Sequence, residues 1–308
     1  MKIAVLGAGA MGSLYGGLLH RSGNEVILID VSKAHIDEVN RQGLYIDGPE
    51  QEINVRVPAA LAGDVTEEPE LFILFTKTIY SRSALESVKH LIKPETWVLS
   101  LQNGLGNDEL IGEYVSKDHI IVGTTDFPST FVAPGRIRSK GRGTTRIMAV
   151  SGLVSAQVEK AADALNGAGF NCHLTKDVFV SIWEKVAFNS AMNAITAVTR
   201  LKLGNVGDSK EGRELAYTVA REVICVARKK GIDAQEDKVI AVMDKDFVDH
   251  ADHRPSMLQD VLAKRTTEVD FIDGAVVREA EKLGMEATAT RTLYQLIKVI
   301  QGNYDNIL

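Results

Sequence analysis

The sequence predicts an α/β protein in two parts: a mostly parallel sheet covered by helices, then an all-helical region. Three observations carry that prediction. Short apolar runs alternate with amphipathic stretches through the first half of the 308 residues, the rhythm of βαβ units. A glycine-rich turn, GAGAMG, joins the first apolar run to the first amphipathic stretch. After about residue 175, strand-like runs cease and apolar residues recur at helical spacing.

Each element follows from its own pattern. KIAVLG (2–7) reads as a buried strand, SLYGGLLHRSG (13–23) as a helix ending near Gly23, and EVILID (25–30) as the next strand. LYIDGPEQEINVRV (44–57) predicts a hairpin turning at Asp47-Gly48. LFILFTK (71–77) and TWVLSLQNG (96–104) are core strands with a helix between them, and HIIVGTT (119–125) is another strand. Residues 126–150, rich in Gly, Thr and Arg, predict strands and turns that extend the same sheet. In the second half, ELAYTVAREVICVARKKG (214–231) sets apolar residues at 215, 219, 223 and 227 and ends at Gly231 beside two lysines. SMLQDVLAKRTTEVDFIDGAVVREAEKLG (256–284) predicts one long helix ending at Gly284, and TRTLYQLIKVIQGN (290–303) predicts another. The short junction near His173 to Lys176 sets the domains at 1–175 and 176–308.

Composition excludes several function classes. With 45% hydrophobic and 25% charged residues, the chain has ample material for a core, and its length suits about two domains. Net charge is -6 and no long basic block occurs, which argues against a nucleic-acid partner. No apolar run approaches the roughly 20 residues of a membrane span, so no membrane association is expected. Structured sequence from Lys2 leaves no place for a signal peptide. Cys172 and Cys225 form no spaced motif, the usage of a reducing compartment. The expected location is cytoplasmic. The oligomeric state stays open, a homodimer included.

GAGAMG comprises Gly7, Ala8, Gly9, Ala10, Met11 and Gly12 and is G-x-G-x-x-G between a strand and a helix. Gly7 makes the tight turn, Gly9 lets the backbone approach a pyrophosphate, and Gly12 lets the helix pack close to the strand. The helix N-terminus then turns its free N–H groups and positive dipole end toward the phosphates. Asp30 closes the second strand at the distance expected of an acid that hydrogen-bonds an adenosine ribose. It would repel a 2′-phosphate, which points to NAD(H) rather than NADP(H). Lys33 and Arg41 lie downstream and could reach a phosphate. A capping aspartate at a strand-to-helix turn is the structural alternative.

Lys77 ends one strand and Asn103 the next. Ligands of open α/β sheets bind outside the carboxyl ends of strands, so both could meet a nicotinamide or a substrate. Either could instead cap the helix that follows. IWEKVAFNSAMNAITA (182–197) sets Lys185, Asn189 and Asn193 four residues apart, on one helix face. Buried polar groups cost free energy unless partnered, so this face looks at water or at a ligand. Facing a cofactor, Lys185 could stabilise the charge that hydride transfer builds on a carbonyl oxygen and deliver the proton. The asparagines could orient hydroxyl or carboxylate groups. A solvated face with a surface lysine is the other reading.

These stretches, with FTK (75–77), QNGLG (102–106) and PSMLQDVLAKRTTEVDFIDG (255–274), make the chain resemble the ketopantoate reductases (2-dehydropantoate 2-reductases) from the first residue to about the last helix. The resemblance implies a Rossmann domain, a helical C-terminal domain, and reduction of 2-dehydropantoate to (R)-pantoate, usually with NADPH, in the pathway to pantothenate and coenzyme A. It implies residue roles too. Lys185 matches the catalytic lysine, a general acid, and Glu268 of TTEVD a substrate-binding acid near it. Asn103, Asn189 and Asn193 match polar residues of the substrate site, Ser256 a serine that contacts substrate, and Lys77 a lysine beside the cofactor. Without the resemblance, Glu268 reads as a helix-surface acid and Ser256 as a helix N-cap after Pro255.

Two residues depart from the pattern. Asp30 stands where many members use a basic residue, which sets NAD(H) against the family habit of NADP(H). His253 stands where better-known members place an asparagine. Relatives that reduce other branched or aromatic 2-oxo acids to D-2-hydroxy acids supply the main alternative function. A non-catalytic dinucleotide-binding protein is the second, and it need not keep Lys185 and Glu268 together. The expected partner is a small 2-oxo acid. No metal is expected, because DHADH (249–253) lacks the closed ligand set of a structural zinc.

Overall fold

The computed structural model describes residues 1–306. The chain divides into two compact units: Met1–Gln102 with Asn107–Val178, and Asn103–Gly106 with the residues from Phe179 onward.

The first unit begins β1 (Lys2–Leu6), α1 (Ala10–Arg21), β2 (Glu25–Ile29), α2 (Lys33–Gln42), β3 (Leu44–Asp47), β4 (Glu52–Val55) and β5 (Ala59–Ala60). It continues β6 (Leu71–Leu74), α3 (Ser81–Ser87), β7 (Trp97–Ser100), α4 (Asn107–Ile111), β8 (Ile120–Thr125), β9 (Thr130–Ala133) and β10 (Arg136–Arg138). β11 (Thr145–Ala149), α5 (Ala156–Gly167) and β12 (Cys172–Leu174) complete it. The main sheet has eight strands in the order β12-β11-β8-β7-β6-β1-β2-β5. All pairs are parallel except β11 with β8. Its central strands are continuous apolar runs, with Ala4, Val5, Phe72, Ile73, Val98 and Leu99 fully buried, as a sheet covered on both faces requires. Leu6 pairs with Ile29 and Leu74, and Leu74 with Ser100. That register makes GAGAMG, Asp30, Phe75–Lys77 and Leu101–Gln102 all leave the sheet along one edge.

Residues 126–150 correct the sequence expectation in part. Only β11 joins the main sheet. β9 and β10 pair instead with the β3–β4 hairpin, in a second sheet of order β4-β3-β10-β9. Local pattern marks such segments as strands but does not choose between two sheets. The long-range pairing of β10 with β3 makes that choice.

The second unit is helical: α6 (Val178–Thr199), α7 (Leu203–Asp208), α8 (Lys210–Lys229), α9 (Glu236–Asp249), α10 (Ser256–Leu262), α11 (Asp273–Lys282) and α12 (Thr288–Gln301). Its core gathers Trp183, Met192 and Ile195 of α6, Val219 and Val223 of α8, Met243 and Phe247 of α9, and Leu293 and Ile297 of α12. The single helix expected over 256–284 is two helices with a loop between them. Lys264 adopts φ 53°, and Arg265 N donates to Asp260 O at 2.8 Å, the 6→1 bond of a left-handed helix stop. A lysine gives no sequence signal for that conformation, which usually falls to glycine. Among the described residues, no helix is long and apolar enough to cross a membrane.

Candidate functional site

The glycine loop leaves β1 with Gly7 at φ 94°, a conformation that favours glycine. A Cβ on Gly7 would lie 2.5 Å from Thr76 N, and one on Gly12 would lie 1.9 Å from Gly7 O. Both glycines are therefore demanded by packing. Gly9 differs: a Cβ there would meet nothing within 4 Å. The loop thus presents an open backbone face, the feature a pyrophosphate needs. α1 starts directly behind it, with no side-chain cap and no acid in its first turn. Its first N–H groups lack intrahelical partners by construction, and Ser13 N to Gly9 O at 2.9 Å is the first helical bond. These groups fit the phosphates of a dinucleotide.

Asp30 sits half-buried at the end of β2. Its Oδ2 accepts from Ala8 N at 2.7 Å and its Oδ1 from Ser32 N at 2.8 Å. The capping role is real, and each oxygen keeps a second acceptor direction for a ribose hydroxyl. Arg41 is drawn to Glu38, 2.6 Å away on the same helix. Lys33 is exposed at the start of α2. Val31, directly after Asp30, is 94% exposed, so an apolar side chain rather than a basic one stands beside the acid.

Lys77 is half-buried and precedes a single 3₁₀ turn, Thr78–Tyr80, without capping it. Gln102 ties the neighbouring strand ends together. Its Nε2 donates to Thr76 O at 2.7 Å and to Ser81 Oγ at 2.7 Å, and its Oε1 accepts from Ser100 Oγ at 3.0 Å. Asn103 follows β7, and α4 begins at Asn107.

In the second unit, Lys185, Asn189 and Asn193 lie at successive i+4 positions of the unbroken 22-residue α6. Lys185 is half-buried, while Asn189 and Asn193 are only 8% and 5% exposed. Little of either residue meets solvent. Neither amide belongs to the fully buried polar atoms that lack a partner, which among the described residues of this unit are Ser190 Oγ and the two Asp273 carboxyl oxygens.

Glu268 is half-buried in the loop between α10 and α11, not on a helix surface. The loop is held from both sides. Thr267 N donates to Gln301 Oε1 at 2.6 Å, and Tyr294 OH and Lys298 Nζ each reach Asp270 at 2.8 Å. The Asn103–Gly106 segment packs on the same loop. Leu105 N donates to Phe271 O at 2.9 Å, and a Cβ on Gly104 would lie 2.3 Å from that oxygen. Gly104, at φ 88°, is thus needed for the approach. Ser256 is exposed and opens α10, with Pro255 in the cap position. The hydroxyl is not the cap, because the helix starts one residue earlier than an N-cap serine requires. His253 is exposed and its N–H donates to His250 O at 2.8 Å.

Several residues at these sites carry no motif. Ser13 and His35 are buried behind the glycine loop. Burial pushes the His35 imidazole below its ordinary range, against the pull of Asp30. Asp273, 0% exposed at the start of α11, has no partner for either oxygen among the described residues. Burial pushes its carboxyl well above the usual range. Only Ser13, directly after GAGAMG, stood close to a recognisable signal.

Comparison with known proteins agrees with this geometry. The family model of ketopantoate reductase PanE/ApbA matches residues 3–152, and that of the ketopantoate reductase PanE/ApbA C terminal matches residues 177–301. A 2-dehydropantoate 2-reductase of Streptococcus pyogenes serotype M3 is 32% identical over 298 residues, 96% of this chain and 97% of the relative. One of Pyrococcus abyssi is 36% identical over 301 residues, 97% of each chain. The solved ternary structure of D-mandelate dehydrogenase with NADH and anilino(oxo)acetate superposes with a TM-score of 0.94 at 31% identity, covering 99% of this chain and 100% of that one.

Proposed function

The chain belongs to the ketopantoate reductase PanE/ApbA family, and on that premise we propose that it is an enzyme that reduces 2-dehydropantoate to pantoate. It uses a nicotinamide cofactor, which when bound supplies the hydride. The observation that carries the substrate reading is the line of Lys185, Asn189 and Asn193 on one face of α6, within residues that are largely buried. A 4-hydroxylated 2-oxo acid brings a carboxylate, a carbonyl and a hydroxyl. Amides can serve all three, because each both donates and accepts.

The residues take distinct roles. Gly7, Gly9 and Gly12 shape the loop, and the N–H groups from Gly9 through Met11 bind the pyrophosphate. Asp30 binds the adenosine ribose, and Lys77 lies beside the cofactor. Lys185 donates the proton to the carbonyl oxygen as charge develops there. Asn103, Asn189, Asn193 and Ser256 orient the substrate, and Glu268 accepts from its hydroxyl or holds Lys185. NADH is the preferred form. Asp30 would face a 2′-phosphate directly, Val31 offers it no cation, and Arg41 is committed to Glu38. The protein works in the cytoplasm, where two unspaced cysteines stay reduced.

A second reading rests on the D-mandelate dehydrogenase similarity: an NADH-dependent enzyme making D-2-hydroxy acids from branched or aromatic 2-oxo acids. Initial rates on the purified protein separate the two, using NADH and NADPH, each with 2-dehydropantoate and with 2-oxoisovalerate. Faster turnover of 2-dehydropantoate with NADH is expected. Faster reduction of 2-oxoisovalerate would favour the second reading, and no rate with any pair would favour a non-catalytic binding protein.

A further inference from the structure

We propose that Ser13 and His35 are positioning residues for the dinucleotide, aiming the Gly9 N–H at the pyrophosphate through one directed chain of hydrogen bonds. The inference rests on the nicotinamide-cofactor reading of the glycine loop. Gly135 N lies 3.0 Å from His35 Nδ1. A backbone N–H can only donate, so Nδ1 is the bare nitrogen and the proton of the neutral ring is on Nε2. Nε2 is 3.2 Å from Ser13 Oγ and donates to it. The serine hydroxyl in turn donates to Ala8 O at 2.8 Å. Ser13 and His35 are 0% and 1% exposed, so no water competes for these groups.

The consequence for the loop is geometric. The peptide between Ala8 and Gly9 is trans and planar, so the Gly9 N–H points opposite to the Ala8 carbonyl. Anchoring that carbonyl inward turns the Gly9 N–H outward, at the residue whose Cβ side is open. Ala8's own N–H is fixed separately on Asp30, so the peptides on both sides of Ala8 are held. A second brace acts one turn on. Ser129 Oγ donates to Ala10 O at 2.9 Å, which directs the Met11 N–H in the same way. Ser129 and Gly135 flank β9, so the β9–β10 hairpin braces the loop at two points. Buried hydrogen bonds in series reinforce one another, and removing one link leaves others unpaired.

A histidine that only fills the core would change stability and leave cofactor affinity alone. The test is equilibrium binding of NADH and of NADPH to the full chain, followed by tryptophan fluorescence, with Tm and steady-state rates on the same samples. Ser13→Ala and His35→Leu should each weaken binding of the preferred dinucleotide about 3- to 10-fold, the scale of one hydrogen bond. The rise in its KM should exceed any fall in kcat. His35→Gln keeps an N–H for Ser13 and should recover part of the loss. If His35→Leu does not fold, Ser13→Ala and Ser129→Ala carry the test. Lowered Tm with unchanged dinucleotide affinity in Ser13→Ala would overturn the proposal. Wild-type protein that binds neither dinucleotide would remove the cofactor reading and this inference with it.

Discussion

The glycine-loop region of the first unit and the α6–α11 region of the second treat their polar groups differently. In the first, the groups around the glycine loop are satisfied internally: Ala8 N and Ser32 N on Asp30, Ala8 O on Ser13, Ser13 on His35, His35 on Gly135. What remains open is backbone at Gly9 and the start of α1. In the second, polar side chains are buried without such partners among the described residues. The Ser190 hydroxyl and both Asp273 oxygens make no hydrogen bond. The glycine-loop region is satisfied within the fold, whereas Ser190 Oγ and the Asp273 carboxyl are held without partners at a cost in stability. A cofactor common to many enzymes suits a rigid backbone cradle. Under the proposed function, the α6 side chains Lys185, Asn189 and Asn193 would be the ones that meet the oxo acid.

The sharpest way to break this contrast is at Lys185. Lys185→Ala should lower turnover about 10²- to 10⁴-fold, the scale of losing a general acid, while dinucleotide affinity stays near the wild-type value. A parallel loss of dinucleotide affinity would show that the helical unit also builds the cofactor site. Next in size is Asn193→Leu, a swap of similar volume that removes an amide of the proposed substrate site. KM for the oxo acid should rise on the order of 10- to 100-fold, with Tm near the wild-type value. A clear drop in Tm would mean that the amide stabilises the free fold. Asp30→Ala should relax discrimination against NADPH by about tenfold, near 1.4 kcal/mol, and lower Tm because Ala8 N and Ser32 N lose their acceptor. An unchanged cofactor ratio would leave Asp30 a capping residue only.

The smallest effects concern pH, and the two units differ in sign. Burial lowers the His35 pKa in the folded state. Its contribution to stability is therefore present above the ordinary value of 6.5 and is lost as pH falls through the folded value. Burial raises the Asp273 pKa. Its contribution is present below the ordinary 3.8 and is lost as pH rises, because the unfolded chain releases a proton that the folded chain keeps. Asp273→Asn should therefore raise Tm at neutral pH, with the gain over wild type shrinking toward pH 4 in thermal melts. A gain independent of pH would mean that the carboxyl is ionised in the folded protein.

The legible parts of the molecule were those fixed by local rules. GAGAMG after a strand required its three glycines, and Gly7 and Gly12 are indeed packed against backbone. The i+4 line of Lys185, Asn189 and Asn193 needed only an unbroken α6. What the sequence hid was long-range or backbone-borne. The β9–β10 hairpin joins the small sheet through pairing with β3, and the helix stop at Lys264 uses a lysine in a left-handed conformation. That stop moved Glu268 from a supposed helix surface into a braced loop. His35 could not be told from any core histidine, because its partner Gly135 lies 100 residues along the chain.

The most direct test of the account compares kcat/KM of the wild-type protein, with NADH, on 2-dehydropantoate and on 3,3-dimethyl-2-oxobutanoate, the same oxo acid without its hydroxyl. A site whose polar groups meet that hydroxyl should prefer 2-dehydropantoate on the order of 10²-fold or more, because the analogue leaves those groups unpaired. Equal or faster reduction of the analogue would contradict it, and would make the polar side chains of α6 irrelevant to substrate choice.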